Sequence, residues 1–118
     1  MKYSILIYDS PEGRAQMQGP KAGELFAQWP PFLKIMQDAG IYLAGAGLQP
    51  ADTATTLRFD NDKRLVQDGP YADTKEQLGG FYMIDVPDLD TALEWAARTP
   101  RLPGQVIEVR PNLVVPGN

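Results

Sequence analysis

The sequence of 118 residues contains no cysteine and no histidine. Without cysteine it can form no disulfide, no thiolate metal site and no cysteine nucleophile. Without histidine it lacks the commonest general base, the usual imidazole metal ligand and the central member of a Ser-His-Asp triad. Its carboxylates form no cluster with the spacing of metal ligands. The sequence therefore predicts no metal and no cofactor, and any acid–base chemistry has to use other side chains.

Long apolar runs and basic runs are also absent. No stretch approaches the roughly 20 apolar residues that cross a bilayer, and the N-terminal residues predict a strand and not a signal peptide. The net charge is −4 and no run of Lys or Arg occurs, which argues against nucleic acid and anionic membranes as partners. We therefore expect a cytoplasmic protein in which residues 1–118 form a single domain.

Hydrophobic patterning predicts a mixture of strands and helices. Strands are expected over residues 2–8, 41–46, 55–59, 64–67, 81–86 and 106–110, and helices over 22–38 and 89–98. Pro30-Pro31 is expected to divide the first helix, and the polar segment up to Lys21 to form a mobile loop. The resulting order, two βαβ units with a hairpin between them, predicts an α+β fold: a ferredoxin-like sandwich with an extra hairpin.

The second helix carries the most regular apolar stripe of the chain. Asp88 is its expected N-cap, and the stripe consists of Leu89, Ala92, Leu93, Ala96 and Ala97. The spacing predicts that this face, with Leu93 at its centre, packs against the sheet.

Several strands are apolar on both faces. Residues 3–8 and 81–86 show this most clearly, yet the helices of a two-layer fold cover only one face of the sheet. An open apolar face would favour aggregation, so we expect a homodimer in which the sheets of two copies pack together. Four tyrosines could line the gap between the sheets: Tyr3, Tyr8, Tyr42 and Tyr82.

The segment 68–82 is the most distinctive part of the sequence. Asp68-Gly69-Pro70 predicts a sharp turn, and a charged run then precedes Gly79-Gly80 and the apolar strand. Asp68 is the best candidate for a catalytic acid or base, and it could equally cap the turn through a backbone hydrogen bond. Thr74, Lys75 and Glu76 could contact a ligand. Alternatively, residues 73–77 fit a capping box that opens one helical turn.

The last strand and the glycines complete the set of candidates. Glu108 and Arg110 alternate on one face of the strand. Arg110 could hold an anionic ligand there, or the two residues could pair with the 68–76 loop or with each other at the surface. Four glycines, at positions 45, 47, 79 and 80, are typical of strand bends and match no phosphate-binding motif.

Nearly the whole chain resembles a known family. The run Asp68–Tyr82 closely resembles the signature of the DGPF branch of the YCII-related proteins, with Tyr71 in place of the usual Phe. Further segments carry the same resemblance: Met1–Tyr3, Leu6–Tyr8, Ala39–Ile41, Gly47–Pro50, Val86–Arg98 and Ile107–Pro111. The resemblance implies a dimeric α+β barrel, in which two sheets pack face to face.

What the resemblance implies about function is more general. Relatives in this superfamily include enzymes that act on small, often aromatic molecules, often without a cofactor, so it implies a small-molecule pocket between the sheet and the 68–80 loop. The alternative is a non-enzymatic regulatory protein linked to extracytoplasmic-function sigma factors. Proteins of the YCII type proper pair a His with an Asp of an Asp-Pro-Phe motif. Here there is no His, and Pro100 follows Thr99, so chemistry based on that dyad does not transfer to this chain.

Overall fold

A computed structural model describes residues 1–116 of the chain. Its strands are β1 (Lys2–Asp9), β2 (Tyr42–Gly47), β3 (Thr55–Asp60), β4 (Lys63–Asp68), β5 (Gln77–Asp85) and β6 (Val106–Pro111). Four of them form an antiparallel sheet in the order β2-β5-β1-β6, and β3 pairs with β4 in a separate hairpin. This order is that of a ferredoxin-like sheet, and the predicted α+β fold with an extra hairpin is confirmed.

The helices are α1 (Pro11–Met17), α2 (Ala22–Phe26), α3 (Trp29–Asp38) and α4 (Leu89–Ala97), with a short 3-10 turn at Ala51–Thr53. Among residues 1–116, no helix has the length and apolar character needed to cross a membrane.

The core lies between the helices and one face of the sheet. At its centre Ile5 of β1 and Ile84 of β5 are fully buried, and Met36 of α3 packs against them. Burying a side chain of this size contributes roughly 1.5–3 kcal/mol relative to leaving it exposed. The rings of Trp29, Phe32 and Tyr82 meet edge to face, with centroids 5.9–6.5 Å apart. Large side chains therefore fill the middle of the sheet and fix α3 on it.

The segment after β1 differs from the sequence-based prediction. It was expected to be a mobile loop, but residues 11–17 form α1. The Ser10 hydroxyl accepts a hydrogen bond from Gly13 N at 2.9 Å, and Pro11 occupies the first turn, where its missing N–H costs little. The polar composition obscured these two start signals.

The following helical region is divided, as expected, but slightly earlier. Residues 27 and 28 separate α2 from α3, so that Pro30 and Pro31 lie in the first turn of α3. The hairpin is confirmed, and Asn61 and Asp62 at its tip have positive φ values of 49° and 66°, as a tight two-residue turn requires.

The predicted packing face of α4 is wrong in part. Ala92 and Ala96 are buried, whereas Leu89 and Leu93 are 47% and 48% exposed. The helix approaches the sheet through its alanines, because small side chains permit close contact and the longer leucines then point away from the sheet. Asp88 caps this helix as predicted: its carboxylate accepts hydrogen bonds from the Thr91 hydroxyl and the Thr91 backbone N–H, and these lower its pKa.

We predict that Ala92→Asp unfolds the protein at ordinary temperatures, whereas Leu93→Asp does not. An unpaired charge at the fully buried position 92 costs several kcal/mol of a total stability of roughly 5–15 kcal/mol, and residue 93 can keep a charge in water. Thermal melts of both variants test this. Equal melting temperatures would contradict the observed orientation of α4.

A second prediction concerns alkaline pH. Burial raises the pKa of the Tyr82 hydroxyl from 10.0 to about 12, although its hydrogen bond with Thr99 acts in the opposite direction. Between these two values the unfolded chain loses the tyrosine proton while the folded protein keeps it. Tyr82 therefore stabilises the fold fully below pH 10, and this contribution, about 3 kcal/mol, is lost as the pH rises to 12.

The Tyr82→Phe variant isolates this effect from other titrating groups. Urea unfolding of both proteins should show a free energy of unfolding that falls more steeply for wild type than for the variant above pH 10. Parallel curves would mean that Tyr82 ionises equally well in the folded protein.

The face of the sheet opposite the helices carries a further set of apolar side chains. Leu6 of β1 lies opposite Phe81 of β5 in register, and Ser4 opposite Met83. These side chains belong to the sheet face that α3 and α4 do not cover. We propose, as the strand pattern predicted, that a second copy of the chain covers them.

Light scattering at micromolar concentration should then give a mass of about 26 kDa, twice the 13.0 kDa of the chain. Stable interfaces of this kind bury on the order of 2,000 Å² or more, so the dimer should persist on dilution. Replacement of Met83 by Lys should shift the mass toward that of the monomer. A monodisperse 13.0 kDa wild-type particle would refute the dimer.

Candidate functional site

A cavity lies between the helices and the β2–β5 end of the sheet. It has a volume of about 720 Å³, within the range of small-molecule sites. Helices α1, α2 and α3 form one wall, and β2, β5 and the end of β1 form the other. The segment 48–50, which follows β2, forms part of the rim.

The floor of this cavity is made largely of glycine backbone. Gly45 and Gly47 of β2 lie opposite Tyr82 and Gly80 of β5, and all four residues line the cavity. Along the same face of β5, the large buried side chains of residues 82 and 84 fill the core instead. The cavity lies where the sheet presents glycines in place of large side chains toward the helices.

The glycines differ in how much space surrounds them. A Cβ at Gly45 would lie 2.7 Å from the Tyr82 Cβ and 2.8 Å from the Phe81 carbonyl oxygen, whereas a Cβ at Gly47 would meet nothing within 4 Å. Gly45 therefore permits close contact of the strands, and Gly47 leaves open space. The sequence-based reading of these glycines as strand bends missed this second role.

Most of the wall is aromatic or aliphatic. Trp29 and Tyr82 contribute ring surfaces to its inner part, and Leu33 and Met36 of α3 lie beside them. Phe26 of α2 also lines the cavity, yet it is 57% exposed. An exposed phenyl ring at the rim of an apolar cavity is a surface that a bound molecule would cover.

One end of the cavity is polar. Asp9 at the end of β1, Arg14 of α1 and Gln105 line it together, and none of the three was among the sequence-based candidates. The Gln105 side-chain amide donates to Asp9 Oδ1 at 2.7 Å, and its oxygen accepts from the Leu102 N–H at 2.8 Å. These bonds fasten the 102–105 loop to the end of β1.

The N-cap of α1 strengthens the same junction. The Ser10 hydroxyl donates to the Pro103 carbonyl oxygen at 2.8 Å. Gly104, with φ of +77°, passes so close that a Cβ there would lie 2.6 Å from Ser10 Oγ. The polar end is thus built on a well-connected part of the fold.

Asp68, the predicted acid, lies at the exposed end of β4. The turn after it is held by a backbone hydrogen bond from Gly69 N to the Ala54 carbonyl, 2.8 Å, and by Thr56 Oγ1 donating to the Gly69 carbonyl, 2.7 Å. In the described part of the chain, the Asp68 carboxylate makes no hydrogen bond to this turn, and Asp68 lines neither this cavity nor a second, smaller one. The turn-cap interpretation is therefore not supported.

The run Thr74-Lys75-Glu76 is exposed and forms no helical turn, so the capping-box alternative is wrong. The loop is instead fastened by side chains that bind its carbonyls: Thr74 Oγ1 donates to the Glu76 carbonyl at 2.6 Å, and Gln77 Nε2 donates to the Ala72 and Thr74 carbonyls. Thr74 lines a smaller cavity of about 500 Å³, which also contacts Arg14. Lys75 and Glu76 line neither cavity.

Glu108 and Arg110 share the face of β6 that the helices leave open. Tyr8 donates a long hydrogen bond of 3.4 Å to Glu108 Oε1, and Arg110 lies opposite Ser4. The two charged groups form no ion pair with each other in residues 1–116. They are therefore on the opposite side of the sheet from the large cavity, and the five predicted ligand-binding residues do not converge on it.

Two signals in the sequence could have indicated the cavity. Gly45, Gly47 and Gly80 fall on one face of neighbouring strands once the strand order is known, and Asp9 ends an apolar strand directly before a Ser-Pro helix start. Both signals can be interpreted only when the order of the strands in the sheet is known, and this order cannot be derived from the sequence of a single segment. Gln105 lies in an irregular loop and gave no signal.

Comparison with known proteins places the chain among uncharacterised relatives. An uncharacterised protein of Rhizobium meliloti (strain 1021) is 34% identical over 96 residues, which cover 81% of this chain and 77% of the relative. The profile of the YCII-related domain matches residues 1–114, so that the match includes every strand and helix described above and both sides of the cavity. The chain therefore belongs to the YCII-related domain family.

Proposed function

We propose that the protein binds a small, mainly aromatic molecule in the 720 Å³ cavity between α1–α3 and the β2–β5 end of the sheet. The observation that supports this is the glycine floor facing an aromatic wall, because it leaves a volume suited to a planar ring inside an otherwise well-filled core. The resemblance implied a pocket between the sheet and the 68–80 loop, whereas the helices enclose more of this cavity than that loop does. Of residues 68–80, only Gly79 and Gly80 line it, and both belong to β5.

A cofactor-independent enzyme is the more specific form of this proposal. It would need a titratable group at the bound molecule. Asp9 is the carboxylate among the residues that line the large cavity, so we propose it in place of Asp68 as the first acid or base to test. Assignment to the DGPF branch rests on the 68–82 motif and stays a prediction.

Thermal shift with a panel of indole, benzoate, phenylpropionate and phenylpropanol tests the binding proposal. A ligand at about 100 times its Kd stabilises the native state by about 2.7 kcal/mol, which corresponds to a rise in Tm of about 10 °C. Gly47→Leu should abolish the rise, because its side chain enters the open space above the floor. The matched control is Gly23→Leu, which adds the same side chain where a Cβ also meets nothing within 4 Å but outside the cavity.

The sequence-based candidates provide an independent comparison. Asp68→Asn and Arg110→Ala should keep the response if the large cavity is the site, since neither residue lines it. If the site is instead the predicted set Asp68, Thr74, Lys75, Glu76 and Arg110, these two variants should lose the response and Gly47→Leu should keep it. If no compound of the panel raises Tm, the cavity proposal fails, and a regulatory role linked to a sigma factor becomes the better proposal.

A further inference from the structure

Two opposite charges line the polar end of the cavity without pairing. Asp9 and Arg14 both face it, yet within residues 1–116 no carboxylate oxygen lies within 4.0 Å of the Arg14 guanidinium. Both side chains are half-buried, where an unpaired charge is more costly than in water. Each group therefore retains capacity for a further partner.

The Asp9 carboxylate is oriented but only partly satisfied. Oδ1 accepts the 2.7 Å hydrogen bond from Gln105, whereas Oδ2 has no donor in the described part of the chain. The carboxylate lies directly over Gly79, where a Cβ would be 2.0 Å from Oδ2. Glycine at position 79 is thus what allows the carboxylate to occupy this place, and Gln105 holds it there.

The Arg14 guanidinium is held by neutral groups. Nη1 donates to the Asp9 carbonyl oxygen at 3.1 Å, and Nη2 donates to the Lys75 carbonyl oxygen at 2.8 Å. A guanidinium has five N–H donors, so donors remain, and the charge is not compensated by either carbonyl. The first of these bonds also keeps the guanidinium next to residue 9, so one ligand of a few bonds' length could reach both charged groups.

We infer that the molecule bound here is a dipolar aromatic acid: a carboxylate that pairs with Arg14, a neighbouring hydroxyl or ammonium that donates to Asp9 Oδ2, and a ring that lies on the glycine floor. This inference rests on the proposed function and specifies its ligand class. Aromatic hydroxy acids and amino acids have these three parts. Hydrogen bonds to charged groups contribute about 1.5–3 kcal/mol each. The hydroxyl or ammonium donor should therefore contribute as much to the binding free energy as the ring does.

Calorimetric titration with a matched series tests the inference. Phenylpropanol offers the ring without a charge, phenylpropionate adds the carboxylate, and phenyllactate and phenylalanine add a donor beside it. We expect wild-type protein to bind at least one of the last two about tenfold or more tightly than phenylpropionate. Asp9→Asn should remove that preference without weakening the binding of phenylpropionate, because it takes away only a negative charge. Arg14→Gln should weaken all three carboxylates about tenfold or more and leave phenylpropanol unchanged.

Two control variants match these changes in charge outside the cavity. Glu12→Gln removes an exposed carboxylate from α1, and Arg101→Gln removes an exposed guanidinium that also donates to a backbone carbonyl. Both should bind the series like wild type. If Asp9 and Gln105 serve only to fasten the 102–105 loop, Asp9→Asn should lower Tm without changing the order of affinities, and the inference is overturned.

The remaining outcomes separate this inference from the proposed function. Equal binding of phenylpropionate, phenyllactate and phenylalanine by wild type overturns the dipolar ligand while the aromatic cavity stands. Loss of preference in Glu12→Gln as well as Asp9→Asn would show a general charge effect and also overturn it. Absence of binding for every member, phenylpropanol included, overturns both.

Discussion

The structure depends on the unequal filling of one sheet face. At one end, Ile5, Ile84 and Met36 pack with full burial, and this contact holds α3 against the sheet. At the other end the helices do not close onto the sheet, and the strands present glycine there. A core of uniform density would have closed this gap, since protein interiors normally pack without large voids. The cavity is therefore a consequence of how the strand sequences change from large residues to glycine along their length.

The polar end of the cavity is formed by residues at the ends of strands and helices, where placing a polar side chain costs the least folding free energy. Asp9 ends β1, Ser10 caps α1, and Gln105 precedes β6. Their hydrogen bonds join residues 9–13 to the 102–105 loop, which is distant in sequence, and the charged groups face the cavity from this fixed frame. Preorganisation of this kind reduces the entropy that a ligand must lose on binding.

How much of the fold and of the candidate site the sequence predicts depends on how far apart in sequence the interacting residues are. The strands, the hairpin turn and the Asp88 cap follow from local patterns and were predicted correctly, except that β5 begins at Gln77 and not at residue 81. The start of α1 was also local, but its Ser10 and Pro11 signals were outweighed by a Gly-rich composition. The exposed Leu93 was missed because helical periodicity gives a stripe without saying which edge of it touches the sheet. The polar end combines residues 9, 14 and 105, and no pattern within one segment connects them.

The unequal freedom of the glycines has an evolutionary consequence. A methyl group added at Gly47 meets no neighbour, whereas one added at Gly45 or Gly79 collides with a neighbouring strand or with Asp9. Drift at position 47 could thus reduce the space available to a ligand in small steps without disturbing the sheet. Substitution at the other two positions would first require compensating changes elsewhere. Divergence in the volume of this cavity among descendants of this protein should therefore begin at the outer end of β2.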